Sequence, residues 1–152
     1  MTEKLFIRHA TVEDIDTLVD FNQAMASETE DKVLDKEVLT AGVGHLFDHS
    51  EDGFYLIAEM VGRPVGSLLV TYEWSDWRNG RIWWIQSVYT VPERRGQGIY
   101  RTLYDRVRQL AKQQGNVRGF RLYAESDNQT AHRTYRAVGM QEARYRMFEQ
   151  WD

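Results

Sequence analysis

A turn rich in arginine and glycine near residue 96 is the segment of the sequence best suited to chemistry. It reads Arg94-Arg95-Gly96-Gln97-Gly98 and lies between an almost wholly apolar run, Ile82 to Val91, and a helical apolar pattern. Such a turn exposes backbone N–H groups at the positive end of a helix dipole, and its glycines let a ligand approach the backbone. Arginines add charge-assisted hydrogen bonds to phosphate oxygens. The turn therefore predicts a pyrophosphate site, although one Gly-x-Gly taken alone favours a plain tight turn.

Other chemistries fit the sequence less well. The dinucleotide fingerprint Gly-x-Gly-x-x-Gly and the Gly-Lys-Ser/Thr ending of a nucleoside-triphosphate loop are both absent. The chain has no cysteine, which excludes disulfides, thiolate metal sites and a cysteine nucleophile. No Gly-x-Ser-x-Gly elbow surrounds a serine, and His45 and His49 lack a clear third metal ligand. We expect neither a metal nor a covalent enzyme intermediate.

The elements that would position the turn are predicted from the spacing of apolar residues. Alternation and β-branched or aromatic content indicate strands, whereas a period near 3.6 indicates helices. The helix that begins near Ile15 follows an N-cap arrangement of Thr11 and Asp14. The predicted order is a strand at Lys4–Arg8, two helices, a hairpin of Phe54–Met60 and Pro64–Trp74, a central strand at Ile82–Val91, a helix ending near Gly115, a strand at Val117–Ser126, a helix at Asn128–Val138 and a last strand at Ala143–Glu149.

Length and composition bound the organisation of the chain. It has 152 residues, of which 42% are hydrophobic and 28% charged, so we expect one domain spanning residues 1–152. The net charge of -4 argues against nucleic acid or an anionic membrane as a partner. Met1 to Thr11 contains no unbroken apolar stretch, so neither a signal peptide nor a spanning helix is predicted, and we expect a cytoplasmic location.

Two segments resemble the GNAT superfamily of N-acetyltransferases. Val91 to Ile99 is similar to its acetyl-CoA loop, whose pattern is Arg/Gln-x-x-Gly-x-Gly/Ala. Arg95 and Gly98 match the first two fixed positions, but Tyr100 stands where the family has Gly or Ala. A tyrosine there must either point away from the pyrophosphate or contact it. The second segment is Asn128-x-x-Ala131-x-x-x-Tyr135-x-x-x-Gly139-Met140, which looks like the family's last helix and its exit, and the resemblance covers Ile7 to Phe148.

The resemblance implies a mixed α+β fold with acetyl-CoA as cosubstrate. We expect a mostly antiparallel, twisted sheet of six to seven strands with about four helices. The strand that ends in Tyr89-Thr90-Val91 would splay from its neighbour, which begins near Val117, and so open a gap for the pantetheine arm. The residues implied to bind the cofactor are Tyr89, Thr90, Val91, Arg94, Arg95, Gly96, Gln97, Gly98, Ile99, Tyr100, Asn128 and Tyr135.

The resemblance also implies the catalytic residues. Tyr135 would protonate the departing thiolate, and Asn128 would hold the cofactor or an ordered water. The amide of Gln86 on the central strand cannot accept a proton, so Glu73 acting through water is the candidate base, with Tyr89 or a water chain as alternatives. Without the family, Tyr135 would be a core aromatic and Glu73 a solvated strand end.

Acidic and aromatic residues are candidates for binding the acceptor. Glu28 and Glu30, with Gln86 and Trp84 on the central strand, would attract and hold a cationic amine. The alternatives are an ordinary solvated acidic loop and tryptophans that serve the core or a homodimer contact.

The sequence thus predicts an acetyl-CoA-dependent N-acetyltransferase that acts directly on a primary amine of a small molecule, peptide or protein. The alternative is a non-catalytic acyl-CoA-binding module of the same fold, which the missing carboxylate at Gln86 and the unusual Tyr100 favour. A nucleotide-binding domain without acyl chemistry is disfavoured because the phosphate-loop lysine is absent.

Overall fold

A computed structural model describes residues 3–152, which form one five-stranded sheet in the order β1-β2-β3-β4-β5. Neighbouring strands from β1 to β4 are antiparallel, whereas β4 and β5 are parallel. The strands are β1 Leu5–His9, β2 Gly53–Met60, β3 Arg63–Ser75, β4 Gly80–Thr90 and β5 Val117–Arg121, and the helices are α1 Ile15–Glu30, α2 Lys36–Asp48, α3 Ile99–Gln114 and α4 Gln129–Ala137.

Helices cover both faces of the sheet. Alternate strand residues point to opposite faces, so β2 contributes Leu56 to one core and Ile57 to the other. The first core packs against α3, whose Leu103 and Val107 are fully buried. The second packs against α1 and α2, and Leu18 of α1 lies at its centre. The expected α+β architecture with four helices is confirmed.

Local turn chemistry explains the predicted hairpin and helix start. Val61 and Gly62 connect β2 to β3 with φ values of 52° and 68°, as a two-residue hairpin turn with the right twist requires. The carboxylate of Asp14 accepts a hydrogen bond of 2.7 Å from the backbone N–H of Thr11. Arg8 of β1 donates to both oxygens of the same carboxylate and so ties the first strand to the beginning of α1.

The expected sheet of six to seven strands was wrong, because the sheet has five. The predicted last strand, Ala143–Glu149, has no regular structure, and its Tyr145 and Phe148 are 77% and 93% exposed. The strand predicted at Val117–Ser126 ends at Arg121 as β5. An alternating pattern forms a strand only where a neighbouring edge pairs with it, and β5 presents a short edge.

Candidate active site

The end of β4 has a free edge. β4 pairs with β5 only from Arg81 to Trp84 but continues to Thr90. Its other side pairs with β3 as far as Gly66 opposite Thr90. This arrangement agrees with the splayed strands that the resemblance implied. The free edge leaves backbone N–H and C=O groups that a ligand can pair with.

A β-bulge interrupts β4 just where the free edge begins. Ser87 and Val88 stand opposite one residue of β3, Leu68, and Ser87 has a φ of 51°. A left-handed conformation costs a non-glycine residue about 1–2 kcal/mol, and such residues cluster at functional sites. Because of the bulge, both Val88 and Tyr89 line the same cleft.

A cleft of about 810 Å³ opens between the end of β4, the beginning of α3 and one side of α4. Its size lies within the range of small-molecule and cofactor sites, about 300–1,000 Å³. Of the residues predicted to bind the cofactor, only Val91 and Gln97 are not part of the lining. The predicted residues that do line the cleft are Glu28, Tyr89, Thr90, Arg94, Arg95, Gly96, Gly98, Ile99, Tyr100, Asn128 and Tyr135.

The glycine turn places the amino terminus of α3 in this cleft. Gly96 and Gly98 have φ values of 77° and 79°, and Gly98 is the N-cap of α3. A Cβ at either position would meet no atom within 4 Å, so the left-handed backbone rather than crowding requires glycine. The first N–H groups of α3 have no partner within the helix. The turn is therefore suited to an anion, as the sequence predicts.

Both arginines of the turn are held by carboxylates. Arg95 reaches Glu28, at the carboxyl end of α1, with its Nη2 2.8 Å from Oε2. The same side chain donates to the carbonyl of Thr90 at 2.9 Å and lies over the ring of Tyr89. Arg94 Nη1 lies 2.6 Å from Oε2 of Glu3. The acidic residue predicted to bind an amine thus contacts the anion-binding turn itself.

α4 brings a phenol to the opposite wall of the cleft. The side chain of Asn128 caps α4 by accepting a hydrogen bond from the backbone N–H of Ala131 at 3.1 Å. About two helical turns later, Tyr135 faces the cleft and packs edge to face on Tyr100, with ring centroids 5.3 Å apart. Burial raises the pKa of Tyr135 above its ordinary value, so the phenol keeps its proton at neutral pH and can donate it.

Glu73 and Trp84 lie away from this cleft. Glu73 Oε1 accepts hydrogen bonds from Trp84 Nε1 at 2.7 Å and from Arg121 Nη1 at 3.3 Å. Glu73 also lines a second cleft, of about 260 Å³, with Trp74, Trp77 and Tyr145 among its walls. In register, Glu73 stands opposite Ile82, roughly six residues before Val88, which corresponds to about 20 Å of strand.

The two remaining predicted residues, Gln86 and Glu30, do not line the first cleft. Gln86 donates from Nε2 to Oγ1 of Thr71 at 2.6 Å, between the two clefts along β4. Glu30 lies near Lys32, with 3.5 Å between its Oε1 and the Nζ, and does not line the first cleft. The structure therefore brings Glu28 to the cleft with Tyr135 but not Glu30, Glu73 or Trp84.

Several residues of the cleft were not found from the sequence. Gly66 of β3 does not line the cleft but packs against two residues that do: a Cβ there would lie 3.0 Å from the carbonyl oxygen of Tyr89 and 3.1 Å from Ile99 Cγ2, so glycine permits the close approach. The cleft residues on α4 could have been found from the sequence, because they recur at helical spacing on the same side of the helix as Tyr135. The lining residues that sequence reasoning missed are Met25, Thr29, Val88, Arg101, Glu125, Asp127, Thr130, Ala131, Thr134, Ala137 and Val138.

Two features are absent from residues 3–152. Within that range, no group of three or more His, Asp or Glu side chains is arranged to hold a metal ion. None of the helices described there is long and apolar enough to cross a membrane.

The comparisons with known proteins agree with the fold. The model of the acetyltransferase (GNAT) family matches residues 17–140, and the chain belongs to this family. A possible acetyltransferase from Clostridium difficile 630 is 40% identical, with a TM-score of 0.89 and 97% of each chain covered.

More distant structures share the fold. A predicted acetyltransferase from Clostridium acetobutylicum, solved with acetyl-CoA, is 22% identical, with a TM-score of 0.80 over 97% of this chain and 96% of that one. An aminoglycoside N-acetyltransferase in complex with CoA is 13% identical, with a TM-score of 0.78 over 99% of this chain and 97% of that one.

Proposed function

We propose that the protein is an acetyl-CoA-dependent N-acetyltransferase that moves the acetyl group directly to a primary amine of a small molecule, peptide or protein. The observation that carries the proposal is that one cleft joins the glycine turn at the start of α3, a free strand edge and the buried phenol of Tyr135. The structures of similar fold that hold acetyl-CoA or CoA support this cosubstrate. A cytoplasmic location and the absence of nucleic-acid and membrane partners are parts of the same proposal.

The residues of the cleft suit an elongated ligand with phosphates at one end and amides along its length. The N–H groups after Gly98, with Arg94 and Arg95, would hold the pyrophosphate. The free edge of β4 from Val88 to Thr90 would pair with the pantetheine amides. A buried backbone group left unpaired costs about 1–3 kcal/mol, so this pairing would contribute to binding. The thioester supplies an activated acetyl group.

Proton transfer would use both walls of the cleft. Tyr135 would give its proton to the departing thiolate, and a backbone N–H near the bulge at Ser87 would stabilise the negative charge on the acetyl oxygen. Glu73 lies about 20 Å along β4 from Val88, too far for direct proton abstraction. The proposal therefore assigns removal of the amine proton to water, in reach of Gln86 and Tyr89.

The acceptor would approach along the face of β4 that α1 covers. Glu28 lies at the cleft, and Gln86, Trp84 and Glu73 follow along β3 and β4 towards the second cleft. Exposed indole rings at Trp74 and Trp77 would contact the aliphatic or cationic part of a long acceptor. A cationic amine, with Glu30 near its entrance, is the class that these residues favour.

One observation favours a second candidate, a binding module that holds acyl-CoA without turnover. Gln86 stands on the central strand where a carboxylate would serve as a base, and its amide is bonded to Thr71. Such a module would bind CoA through the same turn but would not release thiol.

The deciding experiment measures thiol release from acetyl-CoA in the presence of a pooled panel of amines. Thermal stabilisation by CoA is recorded on the same protein. Amine-dependent release would support the enzyme and begin to identify its acceptor. Stabilisation without release would favour the binding module, and the absence of both signals would contradict the assignment of the cleft to acetyl-CoA.

A further inference from the structure

The hydroxyl of Tyr100 is a buried polar group without a partner. Tyr100 is the second residue of α3 and lines the cleft, yet it is only 7% exposed. Its oxygen is buried and makes no hydrogen bond. A buried hydroxyl without a partner destabilises a fold, whereas a phenylalanine of the same shape would not. The fold is therefore less stable with tyrosine at this position than it would be with phenylalanine, and the hydroxyl group is the only difference between the two side chains.

The ring of Tyr100 links the two helices that wall the cleft. It stacks on Tyr104 of the same helix, with centroids 5.9 Å apart, and Tyr104 packs edge to face on Phe120 of β5. The Tyr100 ring also packs edge to face on the ring of Tyr135, with centroids 5.3 Å apart and an interplanar angle of 70°. Tyr135 is therefore supported by a continuous row of rings that begins in the sheet.

α4 has few other attachments. None of its residues is buried. Arg101 donates from Nη2 to the carbonyl of Ala137 at 3.1 Å, at the carboxyl end of the helix. The position of the Tyr135 phenol consequently depends strongly on the ring it packs against.

We propose that Tyr100 is a positioning residue for Tyr135: its ring fixes the Tyr135 phenol, and its hydroxyl donates a hydrogen bond to the Tyr135 oxygen as that oxygen loses its proton. The inference rests on the proposed function. In the step, the O–H bond of Tyr135 breaks and an S–H bond forms on the leaving thiolate. The proton of Tyr100 stays on Tyr100, and the phenolate of Tyr135 recovers a proton from solvent.

Burial strengthens the proposed hydrogen bond from the Tyr100 hydroxyl to the Tyr135 oxygen. Burial, followed by the neighbouring Tyr135 and Tyr104, raises the pKa of Tyr100 well above its ordinary value. The group therefore remains a donor while Tyr135 ionises. A hydrogen bond to a charged oxygen is stronger than one to a neutral phenol, so its contribution grows as the proton leaves.

The test is a double-mutant cycle on kcat with Tyr100→Phe, Tyr135→Phe and the double variant. Tyr100→Phe keeps the ring and removes the hydroxyl, so we expect kcat to fall about tenfold while the KM for acetyl-CoA stays unchanged. In the Tyr135→Phe background the same change should have no effect on kcat. Tyr104→Phe is the matched control, because Tyr104 stacks on Tyr100 outside the cleft, and it should retain full kcat.

Measurements of melting temperature and CoA affinity distinguish the proposed positioning role of Tyr100 from a structural role and from a role in cofactor binding. Because Tyr100→Phe removes an unpaired buried hydroxyl, its melting temperature should equal or exceed that of the wild type. An unchanged kcat in Tyr100→Phe, or an equal loss of kcat in both backgrounds, would overturn the inference while the proposed function stands. Weaker CoA binding in both backgrounds would assign the hydroxyl to the cofactor instead and would also overturn it. A wild-type protein that releases no thiol with any amine would contradict the proposed function, and the inference with it.

Discussion

The two helices that form the walls of the cleft are held in the fold very differently. α3 carries the anion-binding end of the site and buries Leu103 and Val107 completely against the sheet. α4 carries the proposed acid and buries no residue. Elements with few buried contacts open locally at lower free energy than the core. Changes on the α3 wall should therefore alter cofactor affinity, whereas changes on the α4 wall should alter turnover.

The largest effect is expected for Gly98→Glu on the α3 wall. A glutamate at a φ of 79° is strained, and its carboxylate would occupy the anion-binding turn. We expect CoA affinity to fall by about two orders of magnitude or more, measured by calorimetry. Gly62→Glu is the matched control, since Gly62 also has a positive φ, 68°, with open space around it, but lies in the β2–β3 turn. Equal CoA affinity in the two variants would contradict the assignment of the turn.

Tyr135→Phe tests the α4 wall. Loss of a general acid lowers kcat by about 10²-fold or more, while the dissociation constant for CoA should change by less than about twofold because the phosphate-binding wall is intact. Steady-state kinetics and calorimetry measure the two quantities. Tyr55→Phe removes another buried phenol, whose pKa burial raises to about 12, on the opposite face of the sheet, and should leave both quantities unchanged. A Tyr135→Phe enzyme with full kcat would show that the acid lies elsewhere.

Asn128→Ala is expected to loosen the attachment of α4 without affecting α3. Removing an N-cap destabilises a helix by about 1 kcal/mol, which corresponds to about a fivefold change in the ratio of docked to undocked helix. We expect hydrogen exchange in residues 129–137 to be faster by about fivefold and kcat to fall by up to about fivefold, with an unchanged global melting temperature.

The control for this prediction is Asp35→Ala. Asp35 caps α2 by accepting from the N–H of Val38 at 3.1 Å, and α2 contributes the buried Val43 to the second core. This variant should lower the global melting temperature without changing kcat. A similar fall of the melting temperature in both variants would mean that α4 is as firmly held as α2.

The smallest effect is expected for Glu28→Gln. In the proposed complex, Glu28 would compete with phosphate for Arg95, whose Nη2 lies 2.8 Å from Glu28 Oε2. Partly exposed ion pairs contribute up to about 1 kcal/mol, so the variant should bind CoA about threefold more tightly. Acetyl-pantetheine, which lacks the pyrophosphate, should bind both proteins equally. Glu30→Gln is the control because Glu30 pairs with Lys32 outside the cleft; tighter binding in that variant too would indicate a general charge effect.

Local patterns predicted most of the elements and the position of the turn that we propose to bind an anion. The helical stripe from Ile99, the hairpin at Val61-Gly62 and the turn at Gly96 to Gly98 depend on neighbours in sequence, so periodicity and glycine chemistry were sufficient. The last strand was predicted wrongly because pairing depends on an edge elsewhere in the fold. The distance of Glu73 from the cleft depends on the register between β3 and β4 and on where β5 ends, which no local pattern contains.

The amino-acid sequence was sufficient to predict the mixed α+β class, the order of elements from β1 to α4 and the position of the turn that we propose to bind phosphate. These features follow from backbone preferences and burial, which operate over a few residues. The packing of the folded chain was needed to show that Glu28 meets Arg95, that Tyr100 packs against Tyr135 and that the sheet formed by residues 3–152 has five strands. Such contacts join residues far apart in the chain, and their formation depends on how the helices and strands pack together.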